Sequence, residues 1–124
     1  MAISFDEFVS IVRSHLAPHE RANGVAYVAD KPLARNTQLQ LPGTLLTFPF
    51  DAYLAFIDGE PSANWGHPAR YLLVSRETGE ARSLDARLPP FGKGNDLRWR
   101  VVFKAPSVPD AVLPFPPQGD EQRR

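Results

Sequence analysis

Asp58, Glu60, Asn64, Trp65, His67, Arg70 and Tyr71 crowd into one stretch, DGEPSANWGHPARY (58–71), between two strongly apolar runs. Two kinds of chemistry fit these types. His67 can serve as acid, base or ligand, with Asp58 or Glu60 orienting its ring and Trp65 offering a platform. If the chain is an enzyme, His67, Asp58 and Glu60 are its catalytic set. The same stretch can instead recognise a protein, because Trp, Tyr and Arg dominate binding hot spots. On that reading Trp65, His67, Arg70 and Tyr71 are contact residues. Phe115, held between prolines in LPFPP (113–117), joins them as a pre-ordered apolar hook that loses little entropy on docking. A plainer alternative makes 58–71 a loop pinned by Trp65, with Arg70 paired to Asp58 or Glu60.

Other constellations are weaker. His15 and His19 have the helical spacing of metal ligands, but Pro18 lies between them and breaks the geometry zinc needs. Histidine there finishes a helix at the negative end of its dipole. Ser62, Ser75 and Ser83 stand in no G-x-S-x-G elbow. GKGN (92–95) lacks the context of a phosphate loop and reads as a turn. In LRWRVVFK (97–104), period two sends Arg98, Arg100 and Lys104 to one face and Trp99, Val101 and Phe103 to the other. That is a half-buried strand, not an aromatic platform with a basic rim. No metal and no cofactor are expected, and the balance leans away from an enzyme.

The totals agree. Fourteen basic residues offset fourteen acidic ones in 124 residues, which disfavours a nucleic-acid partner, since such binders carry a basic excess. Cysteine is absent, removing disulfides, thiolate zinc sites and cysteine nucleophiles together. The N-terminus MAISFDEFVSIVRSHL lacks the basic start of a signal peptide, and no apolar run reaches the length of a membrane span. A cytoplasmic protein of one domain is expected. Thirteen prolines, at least twice ordinary usage, imply short regular elements and long irregular connections.

The elements that must position these residues follow. Residues 4–16 predict a helix: Ser4 and Glu7 form a capping box, and Phe5, Phe8, Val9, Val12 and Leu16 line one face. Pro18 ends it. Residues 24–29 predict a strand and 30–43 a long connection. Residues 44–49 and then 50–57 are apolar without alternation, which suggests a central strand covered on both sides. Residues 70–76 and 81–87 predict a hairpin around the turn 77–80, its second strand near an edge. Residues 97–104 predict the last strand. The expected fold is α+β: one N-terminal amphipathic helix on a four- to five-stranded antiparallel meander (1–105), followed by an extended Pro-rich tail (106–124). The expected function is a small interaction module of the immunity, inhibitor or adaptor kind, as found in bacterial operons. It binds one protein partner through 58–71 and the Pro-rich segments. The alternative is a small enzyme or ligand-binding domain using His67.

Overall fold

A computed structural model of the chain describes residues 2–61, 68–86, 88–91 and 97–114. Helix α1 spans Phe5–Ser14 and opens on the expected capping box. The Glu7 amide donates to Ser4 Oγ at 3.0 Å, and the Ser4 amide donates to Glu7 Oε1 at 2.8 Å. Pro18 does not simply stop the helix. It begins a second one, α2 (Pro18–Asn23), because a proline at the first helical position loses no hydrogen bond and already has helical φ.

Among the described residues seven strands follow: β1 (Val25–Ala29), β2 (Gln38–Leu41), β3 (Thr44–Thr47), β4 (Ala52–Asp58), β5 (Ala69–Ser75), β6 (Ala81–Asp85) and β7 (Trp99–Lys104). Five of them form an antiparallel sheet in the order β6-β5-β4-β1-β7. The meander therefore holds for β4, β5 and β6, while β7 crosses to the far side of β1. Burial explains the arrangement. All five residues of β1 are buried, so it needs a neighbour on each side, whereas four of the five residues of β6 are exposed and suit an edge. β4, buried at every position, is the middle strand, as the apolar run 50–57 implies, but the earlier part of that apolar stretch forms β3 in a separate sheet.

The segment expected to be an irregular connection contains β2, which pairs with β3 as a separate two-stranded sheet. Leu41 pairs with Thr44, so Pro42 and Gly43 alone make the turn, with Gly43 at φ 72°. Proline followed by a left-handed glycine is the pairing such a turn requires.

The sheet is covered on both faces. Phe8, Val12 and Leu16 pack on Ala26, Val28, Tyr53, Ala55, Ile57, Leu72 and Val74. Phe8 stacks on Tyr53 with centroids 4.7 Å apart. The other face carries Val25, Tyr27, Leu54, Phe56, Tyr71 and Leu73. It is roofed by Leu41, Leu46 and Phe48 of the hairpin region, by Phe91, and by Ala105 and Val108. The C-terminal segment belongs to this roof as far as it is described. A short 3-10 turn spans Asp110–Val112, and Val112 and Leu113 lie against the same core. Phe115 and the rest of 115–124 lie outside the described residues.

One irregularity ties the layers together. Ala26 pairs with Phe103 and Tyr27 with Val101, so Val102 is an extra, bulged residue. Its carbonyl accepts from Arg13 Nε at 2.9 Å, which fastens α1 to the sheet edge.

Candidate functional site

Asp58 ends β4, with Val25 and Ala69 as its neighbours on the flanking strands. Alternation puts it on the same face as Phe56, under the roof rather than under α1. The residue is 5% exposed, and Oδ1 accepts from the Glu60 amide at 3.0 Å. That bond turns the chain sharply after the strand. Glu60 points the other way, its Oε1 3.5 Å from His19 Nε2 on α2. His19 in turn lies 3.4 Å from Asn23 Nδ2. The two carboxylates of the proposed catalytic set are thus split between a buried face and an exposed rim. Trp65 and His67 lie outside the described residues.

Arg70 and Tyr71 have internal environments. Arg70 pairs neither with Asp58 nor with Glu60. Its guanidinium grips both carboxylate oxygens of Glu20 at 2.9 Å, donates to the His15 carbonyl at 2.8 Å, and reaches Ser83 Oγ at 3.2 Å. The pair is largely covered, the side chains being 20% and 12% exposed. Sequence spacing favoured the wrong carboxylates because Glu20 is distant in the chain. Tyr71 is fully buried against Phe56, ring centroids 5.4 Å apart. Its hydroxyl has no hydrogen-bond partner among the described residues, and burial pushes its pKa well above the usual phenol range.

Glu20 carries a pH signature. Burial alone would raise its pKa, but the hydrogen bonds from Arg70 and the Ala17 amide, with the charges of Arg70 and His19, outweigh this and hold it below the ordinary 4.5. A depressed folded-state value means the stabilisation is fully present above the unfolded value and fades as pH falls through the folded one. Thermal melts of wild type and Glu20→Gln between about pH 6 and pH 3 should therefore converge as acid is added. A stability gap that stays constant over this range would contradict the assignment.

Around Asp58 the structure brings together residues that spacing alone did not. Tyr27, Asp58, Pro61, Pro89, Phe91, Val112 and Pro114 line a cleft of about 110 Å³. Tyr27 and Phe91 meet edge-on with centroids 4.6 Å apart. Phe91 also lies edge-on to Phe56 at 5.7 Å and to Trp99 at 5.8 Å. Tyr27 is buried, and its pKa is raised first by that burial and then by the nearby charge of Asp58. A shallower hollow of about 440 Å³ lies between the start of α1 and Thr78-Gly79, but its Glu7 is already engaged in the capping box. In the sequence Tyr27 falls in the first expected strand and Phe91 in a loop. Only the topology, which sets β1 beside β4, makes them neighbours of Asp58.

Gly24 holds this corner together. It closes α2 and directly precedes β1, and a Cβ placed on it would lie 2.7 Å from the Asp58 carbonyl and 2.8 Å from the Glu20 carbonyl. Both obstacles are backbone, so Gly24→Ala must push β4 and α2 apart. It should destabilise the chain by about 1–3 kcal/mol, the usual cost of overpacking, measured by urea unfolding. An unchanged midpoint would show that the corner yields.

Among the described residues no group of three or more His, Cys, Asp or Glu could hold a metal ion, and no helix is long and apolar enough to cross a membrane. Compared with protein-family models, with characterised proteins and with solved structures, the chain matches none, so the geometry of the cleft itself carries its reading.

Proposed function

We propose that this chain is a small protein-interaction module of the immunity, inhibitor or adaptor kind, and that it binds one protein partner at the end of the sheet where β4 stops. One observation supports this above the others. The Asp58 cleft is walled by two aromatic rings and three prolines around a nearly buried carboxylate. Rigid apolar walls around a few placed polar groups are how recognition pockets combine affinity with orientation. Leu88, 41% exposed, directly precedes the wall residue Pro89 and extends the apolar surface. The balanced net charge suits a protein partner better than a polyanion.

Capture from native lysate tests the reading, with tagged wild type beside Trp65→Ala. The expected result is one stoichiometric protein, lost with Trp65→Ala while the variant's melting temperature changes little. A clean wild-type lane would sink the proposal. Parallel loss of binding and of stability would reduce 58–71 to a structural loop.

A further inference from the structure

The two edges of the five-stranded sheet are finished differently. β7 is blunted: Val102 bulges out of register, and its carbonyl is taken by Arg13 Nε at 2.9 Å. Bulges and covering side chains keep an edge from pairing further. Among the described residues β6 carries neither. It holds unbroken register with β5 from Ala81 to Asp85, and its sequence, ARSLD, has no proline or glycine. The Ser75 amide donates to the Glu80 carbonyl at 2.8 Å, and the Ala86 amide to the Ala69 carbonyl at 2.9 Å. Antiparallel ladders alternate, so Glu80, Arg82, Leu84 and Ala86 direct their backbone groups to β5, and Ala81, Ser83 and Asp85 turn theirs outward. Ser83 lies on the helical face, where its Oγ accepts from Arg70 Nη1 at 3.2 Å. Arg82 lies on the other face, its Cζ 5.1 Å from the centre of the Phe50 ring and its Nε 3.3 Å from Glu80 Oε2. Its charge is thus matched and held over the sheet. Leu84 shares that face and is 44% exposed.

We infer that β6 is a self-pairing edge: two copies of this chain join β6 to β6 in antiparallel order about a twofold axis at Ser83. The register follows from the outward row. Ser83 meets Ser83 of the second copy, and Ala81 meets Asp85 on either side of the axis, each pair exchanging two backbone hydrogen bonds. No like charges stand opposite one another. Asp85 faces Ala81, and Arg82 faces Leu84, whose exposed apolar surface the arginine stem covers. Any strand could meet the backbone row; the matching of side chains across the axis selects β6 itself. Fourteen basic against fourteen acidic residues leave little net repulsion between copies. The product is one continuous sheet made from two five-stranded ones. A pair of five-residue strands buries less than the roughly 1,000 Å² that a stable complex clears, so the dimer forms and dissociates with concentration. It does not depend on the partner reading above.

Sedimentation equilibrium of the full-length chain from micromolar to millimolar, with amide hydrogen exchange at both ends of that range, tests the inference. A monomer–dimer equilibrium is expected. The amides of Ala81, Ser83 and Asp85 should slow on dimerisation, while those of Arg82 and Leu84, already bonded to β5, stay slow throughout. Ser83→Pro removes an outward donor and, of the contacts β6 makes within the chain, only the one from Arg70; an edge strand tolerates such a proline. The dimer should weaken by at least about tenfold. Leu84→Arg, at an exposed position, sets arginine against Arg82 across the axis. It should weaken the dimer severalfold, less so at high salt, and serves if Ser83→Pro fails to fold. The chain has no cysteine, so one introduced thiol reads the register. Ser83→Cys puts the two Cα atoms about 5.5 Å apart, within disulfide reach, and should cross-link under mild oxidation. Asp85→Cys puts them at least about 13 Å apart, four residues at about 3.4 Å each, and should not. A monomer at every concentration would overturn the inference. So would a dimer that ignores both Ser83→Pro and Leu84→Arg, or one in which Asp85→Cys cross-links as readily as Ser83→Cys. Protection of the three outward amides only when a different protein is captured would assign the edge to that protein and remove the self-pairing.

Discussion

Phe56→Ala is expected to destabilise the protein by about 4 kcal/mol, the largest effect of any single truncation considered. Phe56 is fully buried in the middle of β4. Its ring lies 6.0 Å from Tyr27, 5.4 Å from Tyr71 and 5.7 Å from Phe91. Truncation removes the transfer energy of the ring and leaves a cavity that the central strand cannot collapse to fill, because both its neighbours are hydrogen-bonded in register. For a chain of this size the loss corresponds to a drop of roughly 15 °C in melting temperature. Domains hold only about 5–15 kcal/mol in total, so the variant should lie near the edge of folding. Phe56→Leu keeps most of the volume and should cost less than about 1.5 kcal/mol. Urea unfolding separates the two, with the midpoint moving and the slope unchanged. Equal and small effects of both substitutions would mean the aromatic layer is loosely packed, and would weaken the case that it holds Tyr27 and Phe91 in place at the cleft.

The contrast between this layer and the rest of the site shows what the sequence could and could not disclose. Local signals were legible. The Ser4–Glu7 capping box, the unalternating β4 run and the exposed edge strand β6 each announce themselves within a few residues. β2 was also locally written, as Leu39 and Leu41 alternating with glutamines before Pro42-Gly43, but the prolines on either side of it disguised it as loop. Pro18 carried two meanings, stop and start, and only the second helix distinguishes them. What no local pattern holds is pairing across the chain. The crossing of β7 to β1, the meeting of Tyr27 with Asp58 and Phe91, and the choice of Glu20 by Arg70 are all set by topology. Of the described members of the 58–71 stretch, Asp58 and Pro61 line the cleft. Glu60 turns to α2, and Arg70 and Tyr71 face inward.

That inward placement makes Arg70 the source of the second large effect. Arg70→Ala should destabilise by about 3 kcal/mol, because it strands a carboxylate that is only 12% exposed. The residue is more than one half of an ion pair. Its four hydrogen bonds fasten β5 to the end of α1 through His15, to α2 through Glu20, and to β6 through Ser83. Lysine cannot replace it, since one ammonium cannot match both oxygens of Glu20 while also reaching His15. Arg70→Lys should therefore recover less than half of the loss. Glu20→Ala should be costly for a further reason: Glu20 Oε1 also accepts from the Ala17 amide at 2.8 Å and so caps α2. A double-mutant cycle on Arg70 and Glu20 should return a coupling of about 2 kcal/mol, beyond what an exposed surface pair gives. The decisive comparison sets stability against binding. If Arg70 is a clamp, Arg70→Ala lowers the melting temperature, and at a temperature where the variant remains folded capture of the protein partner is retained. A variant that melts like wild type but no longer captures its partner would return Arg70 to the binding surface, and the Glu20 pair would then be a resting contact released on docking.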